Sequence, residues 1–444
     1  MSVDPVRDAA IEVLLRVSEK NAFLTDALDK TLRRKSLGDR GNRFLTQLVY
    51  GTVRHQRLAD HILGRLLQQP ITELPRPIHL ILRMGVFQAL FCSQVTFPAM
   101  VHTSVDLAKK RGHPGTARLT NAVLKRVPQR VEDVPLPDAA NNIVRHLGVR
   151  YSLPDWLVQQ WIDLVGIETA TAMCAASTEQ APTTIRANTL NTSPEDLKTR
   201  LEQAQCLLTK TTPIPDELTV LEGPVLRSKL FHQGLYMLQD PASMLPAHLV
   251  EPRPGEWVLD MCAAPGGKST HLAQIAENKA TIVAADAQLD RITHIVENVE
   301  RLGASSVRAI CADGSRPCFR RRFDAVLLDA PCTGLGTLRR HPDLKWRARP
   351  DDATRLAAVQ RELLRAAAQL CENGGRIVYS VCTLTREETL GMREFAESLR
   401  GFAFEDGAKW LNEWKISPGT YRTLPESGSM DGFFLMRLRK SSSA

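Results

Sequence analysis

A chain of 444 residues with 57 Lys and Arg against 49 Asp and Glu, net charge +8, is long enough for roughly two to four domains with real cores. Its ordinary apolar and charged fractions exclude a disordered or fibrous protein, Asp4 and Asp8 interrupt any secretory signal, and the longest uncharged run, Met84 to His102, is too polar to span a bilayer. Nine scattered cysteines with no C-x-x-C pair argue against a disulfide framework and against a bound metal, so a reducing cytoplasm is expected.

The positive charge is concentrated. Residues 1–130 carry 21 Lys and Arg against 10 Asp and Glu, whereas residues 131–444 sum to −3. The same segment, 1–130, is expected to be an all-α domain. Val6, Ala9, Ala10, Val13, Leu14 and Val17 recur at helical spacing, and similar faces run through Phe44 to Val49, Leu58 to Leu66, Ile78 to Phe91 and Leu119 to Val127. Breaks are expected near Gly41, Pro70, Pro75, Pro98 and Gly112 to Gly115. Arg33, Arg34, Lys35, Arg40, Arg43, Arg54, Arg57, Lys109, Lys110, Arg111, Lys125 and Arg126 are candidates for contact with a polyanion. Any single one of them is more often a merely solvated surface charge.

Pro128, Pro135 and Pro137 mark a linker, and residues 139–235 read as a small α+β domain. Asp155 to Val165 has a helical apolar face, and Thr183 to Leu190 reads as a strand. Ser193-Pro194-Glu195-Asp196 supplies a cap, a proline and two acids for a helix start. Further strands are expected near Leu218 to Leu221 and Gly234 to Leu238. Arg186 and Asn188 either touch RNA or form the polar side of their strand.

Residues 236–440 alternate strand, loop and helix, which predicts a parallel sheet covered on both faces. The strands are Trp257 to Met261, Thr281 to Asp286, Val307 to Cys311, Ala325 to Leu328 and Arg376 to Ser380, with one more near Gly432 to Arg437. Asp290 to Leu302 is an amphipathic helix with Ile292, Ile295, Val296 and Val299 facing inward, and Arg355 to Leu370 a long helix.

Chemistry gathers at the carboxyl ends of these strands, where open α/β sheets bind ligands. One strand stops at Asp329 and runs into Ala330-Pro331-Cys332-Thr333-Gly334; another ends at Cys382. Gly266-Gly267-Lys268-Ser269-Thr270 superficially looks like a phosphate-binding loop, but Cys262 stands where that motif needs its first glycine. A glycine-bearing loop, Asp286 after the second strand and Asp313 after the third suit a nucleoside cofactor, Asp286 for ribose hydroxyls and Asp313 for the base. S-adenosylmethionine fits, and a dinucleotide less well without G-x-G-x-x-G. Each acid alone could be a helix cap. Cys92, Cys174, Cys206, Cys311, Cys318 and Cys371 read as small buried hydrophobes.

Taken together, Asp-Met-Cys-Ala-Ala-Pro-Gly-Gly-Lys (260–268), Asp-Ala-Pro-Cys-Thr-Gly (329–334), Arg-Arg-His-Pro-Asp (339–343) and Tyr-Ser-Val-Cys-Thr (379–383) resemble the RNA cytosine-5 methyltransferases, in particular the bacterial 16S rRNA enzymes of the Fmu/Sun (RsmB) type. Asp39 to Arg43, Tyr50 to Arg54 and Asn121 to Arg126 look like a NusB-like RNA-binding domain, and Ile185 to Asn188 matches a short motif of the family's middle domain. Val381, Thr333 and Leu335 depart from the usual residues without removing a reactive group. The resemblance implies an all-α NusB-like domain, a small α+β domain and a Rossmann-like class I methyltransferase domain. It implies S-adenosylmethionine held by Cys262, Ala263, Ala264, Pro265, Gly266, Gly267, Lys268, Asp286, Asp313 and Asp329, with no metal. It implies action on 16S rRNA at a site of the cytosine 967 type; a monomer is expected.

A thiolate adding at C6 of cytosine makes C5 nucleophilic. The residues alone do not say which cysteine adds. The resemblance points to Cys382 as nucleophile, Cys332 as the thiol assisting product release and Asp329 as a partner of the base. A tRNA-directed enzyme and an inactive RNA-binding or antitermination factor are the alternatives.

Overall fold

The computed structural model describes residues 3–316 and 318–442. The chain divides into two units, one of residues 1–179 with 338–347 and one of 180–337 with 348–444. Among the described residues no helix is long and apolar enough to cross a membrane.

The first unit is helical throughout. Helix Pro5–Glu19 starts where Asp4 accepts a hydrogen bond from Arg7 N at 2.8 Å, and its Ala9, Ala10, Val13 and Leu14 are buried. Helix Arg76–Phe91 is buried on nearly every side; its Arg83 is tolerated there because a forked pair of bonds at 2.7 and 2.6 Å ties it to Asp60. The breaks expected near Gly41 and Pro98 come just ahead of those residues, at 35–37 and 92–96. Gly41 lies within helix Gly38–Arg54, and Pro98 sits in the first turn of helix Phe97–Arg111, where a missing N–H costs nothing. Helix Asp155–Ala176 outruns its expected end at Val165. Gly166 does interrupt it (φ +79°), but the helix resumes beyond.

Several of the candidate basic residues are engaged by their own chain. Arg57 pairs with Asp155, Lys110 and Arg111 with Asp8, Arg34 and Lys35 with Glu12, and Arg54 donates to Arg339 O. Arg33, Arg40, Arg43, Lys125 and Arg126 are exposed.

Residues 338–347 follow the first cysteine loop in sequence yet belong to the helical unit. They finish two of its helix ends. Helix Leu24–Arg34 has no side-chain cap of its own, and the buried Asp343 accepts from Leu24 N at 3.2 Å. At the carboxyl end of helix Gly38–Arg54, Lys345 Nζ donates to Arg54 O at 2.9 Å and Trp346 Nε1 to Val53 O at 2.8 Å. An acid at an amino end and an amine at a carboxyl end are the placements the helix dipole favours. Asp343→Ala is therefore expected to cost about 1 kcal/mol of stability, and Asp343→Asn less, because asparagine also caps. Urea denaturation followed by circular dichroism checks this.

The second unit holds two sheets. In the small one, β1 (Thr183–Ala187), β2 (Leu207–Thr209), β3 (Glu217–Glu222) and β4 (Tyr236–Leu238) lie antiparallel in the order β2-β3-β1-β4. Helix Pro194–Gln203 begins at the expected cap, Ser193 Oγ accepting from Asp196 N at 3.1 Å.

The large sheet contains β5 (Trp257–Asp260), β6 (Thr281–Asp286), β7 (Val307–Cys311), β8 (Phe323–Asp329), β9 (Cys371–Val381), β10 (Phe402–Phe404), β11 (Lys415–Ser417), β12 (Thr420–Thr423) and β13 (Phe433–Lys440). Its order is β11-β12-β13-β9-β8-β5-β6-β7, with β10 also on β13. The run β7-β6-β5-β8-β9 is parallel, as expected from the alternating pattern. The other edge is antiparallel and holds four strands where one was expected; β10, β11 and β12 have only three or four residues each, too few for a periodic signal. In helix Leu289–Leu302, Ile295 is buried but Val296 faces outward at 39% exposure. Cys311 and Cys318 are exposed, not buried.

β5 has β6 on one side and β8 on the other, so successive crossovers leave it in opposite directions. That reversal opens a crevice above the carboxyl ends of β5 and β8. It falls between the loop beginning at Met261 and the loop beginning at Ala330.

Candidate active site

The loop after β5 turns under its own backbone. Gly266 has φ +96°, and a Cβ there would come within 3.1 Å of Ile295 Cα, so glycine answers both the torsion and the space. Helix Gly267–Ile275 starts directly behind it, leaving its first N–H groups beside the loop. Beneath, Asp260 is fully buried; Ser269 Oγ donates to its Oδ2 at 2.6 Å while Oδ1 has no partner. Burial lifts its carboxyl to about 7.

Asp286, ending β6, braces the same loop by accepting from Ala264 N at 3.2 Å, and Arg291 lies 3.6 Å from its carboxylate. Asp313 is exposed and turned back on Ser315, whose N and Oγ donate at 2.9 and 2.7 Å and hold the acid below its ordinary value. The turn it belongs to nevertheless lies beside the β5 loop, since a Cβ on Gly314 would be 3.5 Å from Met261 O. An orphaned buried carboxylate oxygen, two glycines opening the backbone and acids ending adjacent strands fit a nucleoside cofactor bearing a positive charge.

The two cysteines meet. Cys332 Sγ lies 3.4 Å from Cys382 Sγ, because β8 and β9 are paired neighbours with Asp329 opposite Ser380. The bond to Cys382 comes first, and burial second, in pushing the Cys332 thiol well above its ordinary value. Asp329 is held on both oxygens, by Ser380 Oγ at 2.6 Å and Lys268 Nζ at 2.6 Å. Burial opposes the charge on Lys268, but Asp329, and more weakly Cys382, raise its affinity for the proton. A lysine ammonium from the β5 loop thus reaches the floor of the cysteine site. Cys262 stays in its loop, its thiol raised by burial and by the three surrounding acids Asp260, Asp329 and Asp286.

Sequence reasoning missed Asp260 and Ser380, whose parts come only from the fold. For Arg186 and Asn188 it left two readings open, contact with RNA or the polar side of a strand, and the structure supports the second. Both are fully buried, so neither is available to RNA. Arg186 donates to Gly267 O at 2.6 Å, to Thr270 Oγ at 3.0 Å and to Gln239 Oε1. Asn188 donates to Gly234 O and Leu302 O, each at 2.7 Å. The strand β1 serves to pin the loop-and-helix that starts at Gly266.

One group among the described residues approaches a metal-ligand set, Asp216, His248 and His271. Its carboxylate is 2.9 Å from His248 Nε2 and 2.7 Å from His271 Nε2, which are direct contact lengths. Donors around a tetrahedral zinc stand about 3.3 Å apart. Burial keeps His271 neutral, down to about 3. This is a buried polar knot.

Three family models match the chain: 16S rRNA methyltransferase RsmB/F over residues 247–439, the NusB family over 4–129, and the RsmF/B-like ferredoxin-like domain over 153–225. Ribosomal RNA small subunit methyltransferase B of Thermus thermophilus is 36% identical, covering 98% of this chain and 98% of its own. The solved protein PH0851 is 29% identical with a TM-score of 0.81, covering 99% of this chain and 100% of its own. NSun6 from Pyrococcus horikoshii, solved with SFG, is 26% identical with a TM-score of 0.59, covering 65% of this chain and 98% of its own.

Proposed function

The chain belongs to the RsmB/F family of 16S rRNA methyltransferases, and from that premise we propose that it methylates C5 of one cytosine in 16S rRNA, at a site of the 967 type, as a cytoplasmic monomer. The observation that carries this reading is the 3.4 Å approach of two thiols at adjacent strand ends. S-adenosylmethionine supplies an electrophilic methyl group when bound; that NSun6 was solved with SFG, an analogue of it, agrees with this choice.

Cys382 Sγ adds to C6 of the cytosine, moving the C5–C6 electron pair to C5, which then takes the methyl group. Loss of the C5 proton returns that pair and expels the sulfur. Cys332, whose proton is held tightly, donates to Cys382 Sγ and steadies it as it leaves. Asp329 faces the base edge, kept in place by Ser380 and Lys268. Residues Cys262 to Lys268 with Asp286, Asp313 and Asp329 would hold the cofactor, Lys268 offering an ammonium to its carboxylate and Asp286 an acceptor to its ribose hydroxyls. The target base must leave any stack to reach these groups.

Incubating the purified protein with S-adenosylmethionine labelled in the methyl group tests this. Label at a single cytosine of deproteinised 16S rRNA, located by bisulfite sequencing, is the expected result. Label on tRNA alone would move the substrate, and label on neither RNA would sink the reading. For the helical unit, replacing exposed Lys125 and Arg126 by alanine is expected to weaken RNA binding irrespective of sequence. The slope of log affinity against log salt should become shallower by about 1 per side chain.

A further inference from the structure

Behind the two thiols lies an acid the chemistry above does not use. Glu388 is fully buried, six residues past Cys382. Its Oε1 accepts from Thr333 N at 3.0 Å and Gln360 Nε2 at 2.9 Å, and its Oε2 from Thr333 Oγ at 2.5 Å and Thr385 Oγ at 2.7 Å. Four donors converge on one carboxylate. They come from both sides of the site: Thr333 immediately follows Cys332, and Thr385 lies three residues after Cys382. The two loops are also joined directly, Thr333 Oγ standing 2.7 Å from the hydroxyl of Thr383, the residue that follows Cys382.

The knot is anchored below. Gln360, on helix Pro350–Leu370, donates from the same amide to Pro331 O at 2.9 Å, and the buried Tyr379 hydroxyl reaches Gln360 Oε1 at 2.9 Å and Glu388 O at 2.8 Å. On the far side Gly336 N donates to Cys382 O at 2.9 Å. Burying a carboxylate is costly, and burial does raise the Glu388 carboxyl above its ordinary value. A hydrophobic residue would close the space more cheaply but would take the acceptor from Thr333 N, from the Thr385 hydroxyl and from one N–H of the Gln360 amide.

We infer that Glu388 is a positioning residue that fixes the separation of the Cys332 and Cys382 sulfurs by binding the loop behind each of them. The inference rests on the thiol reading of the site but not on the identity of the RNA. It acts through hydrogen bonds and not through charge. A glutamine can replace the glutamate because the hydroxyls of Thr333 and Thr385 can turn to accept from an amide N–H. An alanine cannot.

The test measures sulfur proximity and turnover separately. Diamide, a thiol oxidant, takes the two thiol hydrogens as Cys332 and Cys382 join in a disulfide, and the rate is read by mass spectrometry of the linked peptides without any RNA. Glu388→Ala is expected to slow this linkage and to lower kcat on the order of 10²-fold, the scale of a 1 Å misplacement, with KM for RNA unchanged. Binding of S-adenosylhomocysteine, measured by calorimetry, should stay within about twofold. Glu388→Gln should recover most of both rates. Should the alanine variant not fold, Thr333→Val against Thr333→Ser makes the same comparison, the serine keeping the hydroxyl. Wild-type linkage and kcat in Glu388→Ala or Thr333→Val would overturn the inference. So would loss of kcat with unchanged linkage and lost S-adenosylhomocysteine binding. Normal linkage behaviour of this series in a protein that methylates no RNA would leave the clamp standing and remove the proposed reaction instead.

Discussion

Cys382→Ala is expected to abolish methyl transfer and to form no covalent complex with RNA, whereas Cys332→Ala retains RNA on the protein through denaturing electrophoresis. The asymmetry follows from the roles proposed for the pair, in which Cys382 attacks and Cys332 assists release. The Cys332 thiol, pushed up first by its bond to Cys382 and then by burial, is suited to keeping its proton. Removing Cys382 removes the atom proposed to attack C6, so neither product nor adduct is expected. Removing Cys332 leaves the attack intact but takes away the donor 3.4 Å from the leaving sulfur, so release stalls. Methyl transfer in Cys332→Ala should then be limited to about one equivalent of labelled cytosine per enzyme, which a quantified methyl-transfer assay reads. An adduct with Cys382→Ala in place of Cys332→Ala would exchange the two roles, and full activity in both variants would exclude thiol catalysis.

Parts of this site were legible in the sequence because they are local. A strand that ends in an acid and turns through glycines carries its own geometry, so the loop after β5, Asp286 and the cysteine after β8 could be placed by inspection. The parallel half of the sheet was legible for the same reason. What could not be read depends on partners distant in the chain. Arg186 looks like any polar residue on a strand, and only the fold brings Gly267, 81 positions later, against it. The helix-capping work of Asp343 and Lys345 needs acceptors and donors from residues 24 and 54, which no periodicity connects to the cysteine loop. Glu388 sits in a polar stretch where an acid is unremarked, and Thr333, which reads as a minor departure in the loop, proves to be its principal donor. The antiparallel edge fell below the length at which alternation can be detected.

Arg186→Ala is expected to lower stability by about 3–5 kcal/mol and to weaken S-adenosylhomocysteine binding by an order of magnitude. A fully buried guanidinium is costly to place, and burial brings its pKa down to about 10, so the fold retains it only for what it donates. Truncation would remove a donor from Gly267 O and Thr270 Oγ, which keep their bond to each other, and the donor Arg186 gives Gln239 Oε1, at about 1–3 kcal/mol for an acceptor left unpaired, and would open a cavity besides. The cofactor effect has a separate origin. Gly267 opens the helix that follows the Gly266 turn, so its carbonyl fixes the pitch at which that loop meets a ligand. Arg186→Lys should fall between, because one ammonium replaces a planar fork and loses its simultaneous reach to a carbonyl and a hydroxyl. Urea denaturation and calorimetric titration of the same preparations separate the two effects. Wild-type stability and cofactor affinity in Arg186→Ala, accompanied by weakened RNA binding, would instead return this side chain to the RNA-facing surface.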